Sequence, residues 1–130
     1  CNRDPMDIGW SNYKQNFSSG NLGFAYNLNN IGKFYNIYME FMSHWNELFQ
    51  EKIYEVNYEK FTSNFEEEVK KLLQFCKLEW SQDCVEFYKN KKSVVTSSMA
   101  QVRQPIYKTS VASWKNYSDK LENLKKILNK

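Results

Sequence analysis

The stretch from Lys33 to Phe49 constrains the fold of this chain more than any other. Its apolar residues recur at intervals of three and four, the spacing of a long helix with one broad apolar face. A face this wide predicts that the helix packs into the core of a globular domain. The residues on it are Phe34, Ile37, Tyr38, Phe41, Met42, Trp45, Leu48 and Phe49.

Length and composition indicate one soluble globular domain. The chain has 130 residues, of which 42% are hydrophobic and 25% charged, so disorder and a collagen-like fold are excluded. Polar residues interrupt every apolar stretch before it reaches the ~18 residues of a membrane span. The chain starts at Cys1 without a signal-peptide pattern, and we expect it to be a piece of a longer protein.

The three cysteines predict no metal site. Cys1, Cys76 and Cys84 include no pair with the short spacing of a zinc knuckle. Cys76 ends an apolar helical stripe, where a free thiol acts as a small hydrophobic side chain. A free buried thiol is typical of a reducing compartment, so we expect a cytoplasmic protein.

Charge is divided unevenly along the chain. Residues 1–69 carry five Lys and Arg against ten Asp and Glu, a balance of −5, whereas residues 70–130 carry thirteen against five, a balance of +8. Between Lys89 and Lys115 there are six cations, seven Ser or Thr hydroxyls and no acid. This pattern fits either a solvated surface loop or a site for phosphate or sulfate oxygens.

Arginine is rare in this chain. Only Arg3 and Arg103 are arginines among the 18 basic residues, although lysine serves equally well as a generic surface charge. The planar guanidinium binds two oxygens of a phosphate at once, which an ammonium does not do. Both arginines are therefore candidate ligand contacts.

The first half of the chain predicts alternating helix and strand. Asp4 and Pro5 form an N-cap and a first-turn proline, so we expect a helix from Pro5 to Phe17 that follows a strand ending at or before Arg3. Residues Ile53 to Tyr58 are β-branched and aromatic and lie between two helices, which predicts a strand of a parallel sheet. Together these elements predict a helix-rich α/β fold.

The second half predicts further helices. Ser63 and Glu66 match a capping box for a helix that ends near Lys77, with Glu66–Lys70 and Glu67–Lys71 pairs on its exposed side. Ser81 is a candidate cap for a short helix through Tyr88. Apolar positions of a terminal helix are Leu121, Leu124 and Leu128.

Three strings resemble motifs of sulfotransferases that use 3′-phosphoadenosine 5′-phosphosulfate, and they occur in the family's order. The first is Arg3-Asp4-Pro5-Met6-Asp7 with Ser11, similar to the 3′-phosphate motif. The second, Val56 to Phe61, resembles the strand-end tyrosine motif. The third, from Ser97 to Tyr107 and on to Ser113-Trp114-Lys115, is similar to the late nucleotide-capping loop. The likeness is greatest to bacterial domains joined to tetratricopeptide repeats and to tyrosylprotein sulfotransferases.

The resemblance implies a role for each matched position. Arg3 and Ser11 would hold the 3′-phosphate, and Tyr58 would contact the nucleotide. Ser98 would lie near the 5′-phosphosulfate and stabilise charge during transfer. The capping loop would cover the adenosine through Gln101, Val102 and Arg103, and Lys115 would take the place of a lysine that the family has where this chain has Ser113.

The resemblance also implies a P-loop-like fold with a parallel sheet, of which residues 1–130 would be the carboxyl-terminal part. The family's phosphosulfate loop and acceptor base lie upstream of the first motif, so we expect the isolated chain to be inactive. His44, beside Trp45 on the long helix, is not expected to be the base.

Two functions from different classes thus remain open. The first is transfer of a sulfuryl group to a hydroxyl or amine of a carbohydrate, a peptide tyrosine or a small molecule, with adenosine 3′,5′-bisphosphate as product and no membrane or nucleic-acid partner. Sheet edges exposed at the ends of such a piece would favour association with another chain. The second is a non-enzymatic helical module whose basic segment, residues 89–115, binds acidic partners or nucleic acid.

Overall fold

The computed structural model describes residues 1–17, 22–90, 92–94 and 101–128. They belong to two units that we describe separately. The helical unit consists of Arg3–Ile53 and Thr109–Lys130, and the insert unit consists of Cys1–Asn2 and Tyr54–Lys108.

The described residues are mainly helical. The α-helices are α1 (Pro5–Lys14), α2 (Leu28–Leu48), α3 (Tyr58–Ser63), α4 (Phe65–Phe75) and α5 (Glu122–Leu128). Short 3₁₀ segments lie at Gly23–Tyr26, Gln50–Lys52, Gln82–Cys84, Phe87–Lys89, Gln101–Arg103 and Ser113–Lys120. No helix in these ranges is both long and apolar enough to cross a membrane.

Helix α1 begins as its capping residues predict. The side chain of Asp4 accepts a hydrogen bond from the Asp7 N–H at 2.9 Å, and Pro5 occupies the first turn. The helix ends at Lys14 rather than at the predicted Phe17, because Gln15 adopts extended backbone angles. Helix α2 starts five residues earlier than predicted, because Asn27 caps it by accepting bonds from the N–H groups of Asn29 and Asn30.

The core of the helical unit is centred on the segment that leads into α5. The predicted terminal helix is confirmed, with Leu128 partly buried. Leu121 and Leu124 are 1% and 0% exposed. They cluster with Met6 of α1 and Ile31 of α2. Partly buried neighbours of this cluster are Trp10, Phe24, Leu28, Trp114 and Leu128.

Two glycines allow α5 to approach α1 and α2 closely. A Cβ built on Gly9 would lie 2.5 Å from a terminal methyl of Leu124, and one on Gly32 would lie 2.8 Å from a methyl of Ile127. Both distances are shorter than van der Waals contact, so a larger residue at either position would force the facing side chain of α5, or α5 itself, to move.

We therefore expect Gly9→Val to lower the free energy of unfolding by about 2 kcal/mol, the cost of an overpacked core. Gly23→Val is the matched control, because a Cβ at Gly23 meets nothing within 4 Å. Urea unfolding followed by tryptophan fluorescence measures both. Equal stability of the two variants would contradict the close approach of α1 and α5.

The predicted burial of the broad apolar face of α2 is wrong for this chain. Only Ile31 and Gly32 of α2 are buried, while Phe34, Phe41 and Leu48 are 53%, 58% and 59% exposed. The periodicity correctly identified a continuous apolar face. It did not show that the helices of this unit fully bury only Ile31 and Gly32 of α2 and leave most of the apolar face exposed.

The predicted strand from Ile53 to Tyr58 is also not observed in the described ranges. Ile53 is extended, but Tyr58 already begins α3. One parallel bridge joins Asn2 to Asn57, with hydrogen bonds from the Asn2 N–H to the Val56 carbonyl (2.6 Å) and from the Tyr58 N–H to the Asn2 carbonyl (2.8 Å). A ladder needs successive bridges, so the parallel sheet stays a prediction.

In the insert unit, the chain turns between α3 and α4 at Asn64. This residue occupies the N-cap position of α4 without a side-chain capping bond, so the predicted capping box of Ser63 and Glu66 is wrong: Ser63 is the last residue of α3. Helix α4 ends at Phe75, close to the end predicted near Lys77. Lys77 itself has a positive φ of 56°. Cys76 is exposed rather than part of a buried stripe.

Predicted ion pairs on α4 are confirmed. Lys70 lies 2.6 Å from Glu66, and Lys71 lies 2.7 Å from Glu67. Hydrogen bonds from its ammonium to Glu67 and Glu68 raise the pKa of Lys71. The predicted helix from Ser81 to Tyr88 is instead two 3₁₀ segments, the first capped by the Ser81 hydroxyl.

Candidate functional site

Asp7 joins two of the motifs found in the sequence. Its carboxylate is completely buried in the first turn of α1. It accepts hydrogen bonds from the Ala112 N–H (2.6 Å), the Trp114 N–H (3.2 Å) and the Ser113 hydroxyl (3.3 Å). The Arg3-Asp4-Pro5 string and the Ser113-Trp114-Lys115 string are therefore neighbours in the helical unit.

These hydrogen bonds hold a backbone conformation that most residues avoid. Ala112 has a φ of 57° and a ψ of 21°, the left-handed region, which costs a non-glycine residue about 1–2 kcal/mol. The charge-assisted bond from its N–H to Asp7 offsets this cost. Asp7 thereby fixes the start of the 3₁₀ segment Ser113–Lys120.

Arg3 lies at the N-terminus of α1, where its guanidinium is largely shielded from solvent. The side chain is 17% exposed, and its Nη2 lies 4.0 Å from the Asp7 carboxylate. The same nitrogen donates to the Ser110 carbonyl at 2.6 Å. The Asp7 carboxylate and the Ser110 carbonyl thus hold the planar guanidinium of Arg3 beside the N-terminus of α1. A helix N-terminus favours the binding of anions.

The other predicted phosphate contacts belong to the same unit. Ser11 is half-buried on α1, two turns beyond Arg3, and Lys115 is exposed within the segment that Asp7 positions. Nearby, burial raises the pKa of Tyr35 on α2, with further contributions from Tyr38 and the Asp4 carboxylate. Tyr35 therefore stays a neutral hydrogen-bonding group at physiological pH.

The insert unit contains a cavity of about 180 Å³. Three residues that the motifs assigned to one nucleotide line it: Tyr58, at the start of α3, and Gln101 and Val102, from the late loop. Tyr58 lines this cavity with Gln101 and Val102 although it is more than 40 residues from them in the sequence. The rest of the lining is Phe87, Gln104, Pro105, Ile106 and Tyr107.

This cavity combines aromatic rings with amides. Tyr58, Phe87 and Tyr107 provide rings, and Gln101 and Gln104 provide side-chain donors and acceptors. Such a lining suits a flat heteroaromatic base, because rings stack on its face while amides bond its edge. The motif analysis missed Phe87, which lies outside the three strings, and it gave no role to Gln104, although the third string includes this residue.

Two cations of the basic segment, residues 89–115, already have partners within the insert unit. The Lys89 ammonium lies 2.6 Å from Glu86, and this hydrogen bond raises its pKa. Arg103 donates a hydrogen bond from Nη2 to the Lys92 carbonyl. It is not among the described residues that line the cavity. Ser98, the predicted transition-state contact, lies outside the described residues.

Sequence comparisons agree with the motifs. A model of the Sulfotransferase family matches residues 1–82, which include the first two motif strings. The chain is also similar to an uncharacterized protein of Aquifex aeolicus (strain VF5), with 41% identity over 128 residues. This alignment covers 97% of the chain and 17% of the relative's length, and no solved structure matches.

The match includes the arginine motif, helix α2 and Tyr58, which lines the cavity of the insert unit. It covers well over half of the chain. We conclude that the chain belongs to the sulfotransferase family.

Proposed function

We propose that the chain is the carboxyl-terminal part of a sulfotransferase domain that binds 3′-phosphoadenosine 5′-phosphosulfate. One observation carries this proposal: Tyr58, Gln101 and Val102, assigned to one nucleotide by two separate motifs, line one cavity. Its size and its aromatic and amide lining suit the adenine ring.

The helical unit would hold the 3′-phosphate. Arg3 lies before the first turn of α1, Ser11 follows on the same helix, and Lys115 adds a second cation in this unit. A guanidinium and a hydroxyl donate charge-assisted bonds to phosphate oxygens. Asp7 contributes indirectly, because it holds both Arg3 and the segment that carries Lys115.

The reaction follows from the chemistry of a phosphosulfate. An acceptor hydroxyl or amine attacks sulfur, the bond between sulfur and the 5′-phosphate oxygen breaks, and adenosine 3′,5′-bisphosphate leaves. The acceptor's proton passes to a base. Catalysis would depend on positioning and on stabilising the sulfuryl oxygens, the role we propose for Ser98, with Arg103 closing the loop over the nucleotide.

We also propose that the remainder of the domain, with the acceptor base and the phosphosulfate loop, lies in the preceding part of the parent protein. The exposed apolar face of α2, with Phe34, Phe41 and Leu48 more than half exposed, supports this, because a face of this size is normally covered. The acceptor would be a carbohydrate, a peptide tyrosine or a small molecule. Three free thiols are compatible with a cytoplasmic location.

Titration of the ¹⁵N-labelled chain with adenosine 3′,5′-bisphosphate tests the nucleotide proposal. We expect saturable shifts at Tyr58 and at residues 101–107. Tyr58→Ala should weaken binding about tenfold, the value of one stacked base, whereas Tyr58→Phe keeps the ring and should bind nearly normally. Arg3→Lys should remove the preference for this ligand over adenosine 5′-monophosphate.

The alternative function, a basic module for acidic partners, gives a different result. In that case heparin or DNA would bind with a steep salt dependence, and neither Tyr58→Ala nor Arg3→Lys would matter. Shifts confined to the lysines of segment 89–115 would contradict the nucleotide site.

A further inference from the structure

A second cavity, in the helical unit, has a different chemistry. It has a volume of about 230 Å³ and lies where the end of α1, the start of α2 and the start of α5 meet. We call it the asparagine cavity. Its lining residues are Tyr13, Tyr26, Asn27, Leu28, Asn29 and Asn123.

The described part of the lining is uncharged, because none of its six residues is acidic or basic. The sequence that contributes most of the lining also lacks charge. Residues 15–32 contain five asparagines and no Asp, Glu, Lys, Arg or His, although 25% of the chain is charged. The closest cation in sequence, Lys14, lies with its ammonium 5.8 Å above the Trp10 ring. A phosphate or sulfate ligand would therefore find no counter-charge among the lining residues that the structure describes.

Several lining groups are held in place. The Tyr26 hydroxyl donates to the Phe17 carbonyl at 2.9 Å, and the Asn27 side chain caps α2. The Tyr13 ring lies 6.5 Å from the Trp10 ring, which itself packs on the core. Such fixed aromatic and amide groups bind a ligand with little loss of side-chain entropy.

The rings are nevertheless available to a ligand. Tyr13 is 42% exposed and Tyr26 is 51% exposed. Amide side chains nearby, Asn29 and Asn123, supply both donors and acceptors. Neutral donor–acceptor pairs beside exposed aromatic faces suit a ligand with many hydroxyls and an apolar C–H face, because hydroxyls bond amides while C–H groups pack on rings.

We propose that the asparagine cavity binds a neutral saccharide. This binding would not depend on the proposed nucleotide, since none of the residues that line the asparagine cavity is among those proposed to hold the nucleotide. It would give the protein a means of holding an uncharged glycan.

The test is titration of the ¹⁵N-labelled chain with four neutral tetrasaccharides: cellotetraose, maltotetraose, xylotetraose and chitotetraose. We expect at least one to give saturable shifts at Tyr13, Asn29 and Asn123 below about 20 mM, the range of a weak site. Tyr13→Ala should weaken that binding about tenfold, while Tyr13→Phe should keep most of it because the ring remains.

Two matched variants serve as controls. Tyr38→Ala removes a ring of similar exposure (39%) and Asn116→Ala an exposed amide, both outside the cavity lining, and neither should change saccharide binding. Adenosine 3′,5′-bisphosphate binding by Tyr13→Ala should equal that of the unmodified chain. Absence of shifts with all four sugars, or an unchanged affinity in a folded Tyr13→Ala variant, would overturn the proposal.

Discussion

We expect Asp7→Ala to lower the free energy of unfolding by about 3–5 kcal/mol, the cost of removing one partner from a buried charged network. The substitution leaves the N–H groups of Ala112 and Trp114 without their acceptor and removes the carboxylate beside Arg3. It also leaves the left-handed backbone of Ala112 without the bond that holds it. Urea unfolding followed by tryptophan fluorescence measures the loss.

Asp7→Asn gives a finer test of the same network. The amide keeps one acceptor oxygen, but its NH₂ group faces the N–H donors that now bind the carboxylate. We therefore expect an intermediate loss of unfolding free energy, about 2 kcal/mol. Asp119→Ala removes an exposed carboxylate and should change stability by less than about 0.5 kcal/mol. If Asp7→Ala were no more harmful than Asp119→Ala, the proposed link between the two motifs would be wrong.

Leu124→Ala should have the second large effect, a loss of about 2–5 kcal/mol, because truncating a fully buried leucine leaves a cavity. Leu124 is 0% exposed, whereas Leu48 is 59% exposed. Leu48→Ala is therefore the matched control, with an expected loss below about 1 kcal/mol. Thermal or urea unfolding distinguishes the two.

The close approach at Gly9 predicts coupling between two substitutions. A new Cβ at Gly9 would occupy space now filled by the Leu124 methyls, so Gly9→Ala should be tolerated better in the Leu124→Ala background than in the unmodified chain. A double-mutant cycle should give a favourable coupling of about 0.5–3 kcal/mol. Additive effects would mean that the two residues do not share this space.

Local signals in the sequence predicted local structure well. The Asp4 cap, the α4 ion pairs and the leucines of α5 each depend on residues within one or two turns, and all three are confirmed. The predicted strand depended on partners elsewhere in the chain, and pairing is described only at Asn2. Burial of the α2 face likewise depends on what covers it, which the periodicity of one helix does not contain.

For the candidate site, the resemblance to family motifs predicted three residues that line one cavity in the insert unit, but not how the helical unit is held together. Tyr58, Gln101 and Val102 were identified from that resemblance. Asp7 was recognised only as part of a string, since an acid in the first turn of a helix usually faces solvent and favours the helix dipole. Nothing in its neighbours distinguishes a buried carboxylate that binds residues 112–114.

The helical unit is formed by two segments that are far apart in the sequence, and this affects when it can fold during translation. Its first segment leaves the ribosome well before the second, and residues 54–108 are synthesised between them. Met6 and Ile31 thus have no Leu121 or Leu124 to pack against until the segment after residue 108 has been synthesised. We expect this unit to fold only after its second segment has left the ribosome, with the helices of the first segment exposed to chaperones in the meantime.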